Sequence, residues 1–226
     1  MVSCVALFQD PNVTQRSLGL WLRDLQSCLP NPGTNQNTYT GTDIVPSYFP
    51  NQVPPSTTLM VHNITAEYPE SMIGYFDLVH QRLALPGCGT YPLRSAVASL
   101  VTLVKPGGWI QLLEADHDGP GSQSPALKDT FRLIKELFGK AGVDCEYARR
   151  LKGWLLEMGL EKVEELVLDV PLGKSNENTE LGQKGAKSVG MATAGLVDYA
   201  RCKSSISTIH VQMSLASASV GFERWR

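Results

Sequence analysis

The sequence predicts an α/β fold with a mainly parallel sheet. Short apolar runs rich in β-formers alternate with longer stretches of helical period, the pattern of βαβ units. Proline and glycine clusters separate many of these runs. The chain has 226 residues and is 42% hydrophobic, enough for a sizeable core. Parallel sheets bind ligands outside the carboxyl ends of their strands, so the residues that close each strand are the first candidates for function.

The apolar run at 1–8 (MVSCVALF) reads as the first strand, and 17–30 as the helix that follows it. Residues 37–45 are β-rich and end before Pro46. A further strand is expected over 57–64, after the turn signal Pro54-Pro55, and another within 75–85. Val97, Leu100, Val101 and Val104 fall at helical spacing within 91–104. Pro106, Gly107 and Gly108 then predict a tight reversal into a strand over 109–115. Ser124 and Pro125 signal a helix start, and Leu127, Phe131, Ile134 and Phe138 form one stripe, with Gly139 or Gly142 as its end. A helix from 146 to 158 carries Leu151, Leu155 and Met158, with Gly159 as its stop. Residues 162–170 are strand-like, 171–186 read as a mobile loop, and 186–200 as a helix. Ile209, Val211, Met213 and Leu215 alternate with polar residues and predict a last strand. The whole chain, 1–226, is expected to form a single domain.

Composition narrows the function. Net charge is −2 and the basic residues are scattered, which argues against nucleic-acid binding. The densest basic group, Arg149, Arg150 and Lys152, reads as a solvated helix face. No apolar run approaches the roughly 20 residues that a membrane span needs, and the N-terminus carries no signal-peptide pattern. Cys4, Cys28, Cys88, Cys145 and Cys202 are odd in number and widely spaced, which favours a reducing, cytoplasmic setting over a disulfide framework.

The strand ends offer a short list of candidates. Asp43 closes the second strand, where a carboxylate offers acceptor oxygens to a ribose diol or caps a turn. Asn63 and Ile64 follow the third, where an amide suits an adenine edge and an aliphatic side chain its face, or where the amide merely closes a turn. His80, Gln81 and Arg82 close the fourth, and a histidine there could act as a general base or be structural. Glu114, Asp116, His117 and Asp118 follow the fifth; adjacent residues at one strand end cannot all converge on an ion, so no metal site is expected. No G-x-G-x-x-G follows the first strand, which disfavours a nicotinamide-dependent oxidoreductase; Gly87-Cys88-Gly89 reads as a loop.

The succession of TYTGTDIVPSYFP, FDLVHQRLAL, a helix and LVKPGGWIQLLEAD resembles the S-adenosylmethionine-dependent methyltransferases of Rossmann-like fold, in particular the fungal secondary-metabolite, LaeA-like type. The resemblance runs from about Gly19 to Asp116 and more loosely to the last strand. It implies a seven-stranded sheet with that last strand antiparallel. It also implies an enzyme that moves a methyl group from S-adenosylmethionine to a small-molecule acceptor. Gly19, Asp43, Asn63, Ile64 and His80 would then hold the cofactor, Gln81 and Arg82 would line the acceptor space, and His80 or His117 would serve as base. The pattern departs from the family in one stretch. The chain keeps GLWLRDL from Gly19 to Leu25 but has no glycine between Phe8 and Gly19, which makes 1–18 atypical. Pro11, Gln15 and Arg16 stand where glycines would let the backbone approach the methionine end of the cofactor, so poor or absent binding of S-adenosylmethionine is expected, although the pocket for its adenosine half remains. The alternative is a methyltransferase-shaped protein without cofactor, acting as a cyclase-like catalyst or as the partner of an active methyltransferase. Homo- or hetero-oligomers are open on either reading.

Overall fold

The computed structural model describes residues 3–8, 22, 25–27, 37–53, 55–116 and 125–202. Five strands form one sheet in the order β3-β2-β1-β4-β5. They are β1 (Ser3–Phe8), β2 (Thr38–Asp43), β3 (Thr57–Val61), β4 (Phe76–Arg82) and β5 (Val104–Leu113), and every neighbouring pair is parallel. All five strands therefore end on the same edge. The order runs outward from β1 in both directions, so the chain reverses its course between β1 and β4. In open parallel sheets ligands bind beyond the strand ends at such a reversal.

Among the described residues, the longer helices are α1 (Leu93–Thr102), α2 (Pro125–Lys140), α3 (Tyr147–Glu157) and α4 (Thr179–Cys202). The described residues divide into two units. The first holds the sheet, α1 and α3. Its core includes Phe76, Val79, Leu85, Ala96, Val97, Leu100, Leu103 and Tyr147, each at most 2% exposed. Val97 and Leu100 of the predicted stripe lie on the buried face of α1, Val101 is half-buried, and Val104 already belongs to β5. Arg149 pairs with Asp116 at 3.0 Å, while Arg150 pairs with Asp144 and lies over Trp154, the solvated face expected of this basic group. In the second unit, α2 packs on α4 and buries Leu133 and Leu137. The Asn178 carboxamide oxygen caps α4 by accepting from Leu181 N at 3.0 Å.

Some expectations need correction. The Pro106-Gly107-Gly108 stretch is not a reversal ahead of β5 but lies inside it. Pairing with β4 jumps from Phe76↔Val104 to Leu78↔Trp109, so β5 bulges there. Gly107 has φ +79, and a Cβ on Gly108 would meet the carbonyl oxygens of Phe76, Asp77 and Lys105, each at 3.0 Å. Residues 162–170 form no strand: Leu166, Val167, Leu168 and Val170 are 67–80% exposed. A β-rich segment needs a partner strand, and none among the described residues pairs with it. Residues 179–186, expected as loop, are the first two turns of α4. The predicted last strand at 209–215 and most of the first helix lie outside the described residues, although 22 and 25–27 are helical.

Candidate functional site

The site is built by the carboxyl ends of β2, β3 and β4, which parallel pairing brings to one edge. Thr42 and Gln81 both pair with Leu7 of β1, so they stand about 10 Å apart across one intervening strand. Asp43 and Arg82 follow at the next level. Gly19, His117, Pro11, Gln15 and Arg16 lie outside the described residues.

Asp43 is 5% exposed. Its Oδ1 accepts Val45 N at 2.8 Å, so the carboxylate does close a turn. Burial raises its pKa, opposed by the backbone amides of Val45 and Ile44. Asn63 is exposed, and its Oδ1 accepts Thr65 N at 3.0 Å and the Thr65 hydroxyl at 2.9 Å, again a turn. Ile64 beside it is 2% exposed.

His80 and Gln81 are neighbours on a strand, so they project to opposite faces of the sheet and do not share one acceptor space. His80 lies on the face of Asp43, level with Gln111 of β5. Its Nδ1 is 2.8 Å from Gln111 Oε1, a distance at which the ring N–H donates to the amide oxygen. Burial lowers the His80 pKa to about 4; the Gln111 contact opposes this and the charge of Arg82 adds to it. Gln81 is fully buried on the other face. Its Nε2 donates to Glu114 Oε1 at 2.5 Å, so its amide group serves the interior. Arg82 is half-buried at the strand's end.

Glu114, which follows β5 directly, is the site residue that sequence reasoning placed only among metal candidates. It is half-buried and collects four donors: Gln81 Nε2, Ala84 N, Leu85 N and the Tyr147 hydroxyl. The one signal available was a lone carboxylate ending an apolar strand. Tyr147, its partner on α3, stood outside every motif.

The edge also holds polar atoms that are buried with no hydrogen-bond partner among the described residues. These are the Thr42 hydroxyl on β2, Nε2 of His62 after β3, and Oε1 of Gln81 on β4. The His62 ring packs on Tyr68, ring centroids 4.1 Å apart, and the Tyr68 hydroxyl is likewise unpartnered. Buried polar groups are normally satisfied. Thr42 and Gln81 lie on the face of the sheet opposite Asp43 and His80.

No family model matches the chain. N-methyltransferase tcpN of Claviceps purpurea is 31% identical over 213 residues, which cover 89% of this chain and 74% of that protein. N-methyltransferase sirN of Leptosphaeria maculans is 36% identical over 76% of this chain. N-methyltransferase gliN of Aspergillus fumigatus is 34% identical over 73% of this chain. The chain spans 59% and 58% of the length of these last two proteins.

Proposed function

Because the chain belongs to the fungal methyltransferase family of these relatives, we propose that it transfers a methyl group from S-adenosylmethionine to a nitrogen of a small secondary metabolite. The observation that carries this reading is the buried carboxylate of Asp43 at the end of β2, on the face it shares with His80, at the strand edge next to the reversal of strand order. The residues present fit the adenosine half of the cofactor. Asp43 would accept hydrogen bonds from the ribose hydroxyls. Asn63 and Ile64 would meet the edge and face of adenine, and Arg82 would stand toward the acceptor. The cofactor supplies an electrophilic methyl carried on a sulfonium.

The chain's own part is alignment. An amine that arrives as the free base needs little more than proximity and orientation. A histidine of pKa about 4 is a weak base, but at neutral pH it is uncharged and does not repel a sulfonium. His80 therefore serves the donor's surroundings, and His117 remains the candidate that would take the acceptor's proton. The free thiol of Cys88 supports action in a reducing, cytoplasmic compartment.

Calorimetric titration with S-adenosylhomocysteine tests the cofactor reading. The expected outcome is binding weaker than micromolar, held through the adenosine half of the ligand, because Pro11, Gln15 and Arg16 stand at its methionine end. Absence of heat at millimolar ligand would overturn it and favour the cofactor-free alternative, for which the named relatives give no support.

A further inference from the structure

We infer that Glu114 is a positioning residue of this site, holding from within the turn on its β4 side; the inference rests on the cofactor reading above. The site lies where the strand order reverses, between the ends of β1 and β4. Its β4 side is the turn that begins at Leu83 and continues through the short helical turn Leu85–Cys88. Leu83 has φ 51, a left-handed conformation that a leucine adopts only under constraint.

The constraint is on the page. Leu83 N donates to Leu113 O at 3.0 Å. Glu114 Oε1 accepts from Gln81 on one side of Leu83, and from Ala84 N and Leu85 N, each at 3.1 Å, on the other. One oxygen thus gathers donors from both flanks of the strained residue. The second oxygen accepts the Tyr147 hydroxyl at 2.7 Å, which ties the carboxylate to α3 through a side chain that is 0% exposed. Strained backbone persists where its surroundings over-determine it, and such places concentrate at ligand sites. With the acceptor removed, the amides of Ala84 and Leu85 would be left buried without partners and the turn would relax.

The test compares the full chain with Glu114→Ala, Glu114→Gln and Glu114→Ala/Leu83→Gly. The measurements are S-adenosylhomocysteine affinity by calorimetry and amide hydrogen exchange at residues 84 and 85. Glu114→Ala should weaken binding at least tenfold and speed exchange at both amides at least tenfold. Glu114→Gln keeps an oxygen at the Oε1 position and should stay within about threefold of wild type in both. Leu83→Gly, whose glycine accepts a positive φ without strain, should restore part of the affinity lost in Glu114→Ala. Should Glu114→Ala not fold, Glu114→Asp takes its place, since it keeps the charge while withdrawing the acceptor by one methylene. Wild-type affinity in the alanine or aspartate variant overturns the role of Glu114. So does lost affinity with unchanged exchange at 84 and 85. No binding by the wild-type chain overturns the cofactor reading itself, and the positioning role with it.

Discussion

At the scale of single residues, two buried titratable groups make opposite demands on the fold. An unfolded imidazole binds its proton near pH 6.5, while His80 in the folded chain does so only near pH 4. Between these values the unfolded state holds more protons, so acid favours unfolding. The stability tied to neutral His80 is complete above pH 6.5 and is lost as pH falls toward 4. A shift of this size corresponds to about 3 kcal/mol. His80→Asn should lose about that much less stability than wild type between pH 7 and pH 4, as read from urea unfolding. Asp43 is raised by burial, so its charged form is disfavoured in the fold and contributes no stability on ionising. Its carboxylate stays in place through the turn at Val45. Asp43→Ala should weaken S-adenosylhomocysteine by about 1.5 to 3 kcal/mol, the scale of a hydrogen bond to a charged group. Unchanged calorimetric affinity would leave Asp43 a turn residue only.

At the scale of elements, glycine decides how α3 ends and how β5 bends. Gly159 has φ +85, and the chain closes there with Gly159 N donating to Leu156 O and Leu160 N to Leu155 O. Gly159→Ala should cost about 1 kcal/mol, because alanine resists a left-handed cap. Gly108→Ala should cost more, about 2 kcal/mol, because its Cβ would press on three backbone carbonyls that cannot yield cheaply. Urea midpoints of the two variants should fall in that order. The segment 162–170 makes the contrary case: its apolar side chains are exposed, and Leu168→Ser should leave stability within about 0.5 kcal/mol of wild type.

At the scale of the whole molecule, ligand binding and stability are linked. S-adenosylhomocysteine at 100 times its Kd should raise unfolding free energy by about 2.7 kcal/mol, seen as an upward shift in Tm. The shift should shrink in Asp43→Ala at the same ligand concentration. A shift that is the same in both proteins would place the ligand somewhere other than beside Asp43.

The sequence by itself determined where β1 to β4 run and where α1, α2 and α3 lie. Apolar period and turn chemistry are local properties, and β2, β3, β4, α1 and α3 begin and end within a few residues of their signals. It also brought Asp43, Asn63 and His80 to one edge, because parallel strands with helical crossovers must all end on the same side. Only the tertiary structure decided what each side chain faces. His80 and Gln81 separate to opposite faces by the pleat. Gln81 turns inward to meet the carboxylate of Glu114, which follows β5 and lies 33 residues away in sequence. Glu114 acquires its role only when β4, β5 and α3 pack together. The strand-like run at 162–170 stays unpaired for a related reason: β-propensity is realised through a neighbour, and a neighbour is a fact of the fold rather than of the segment.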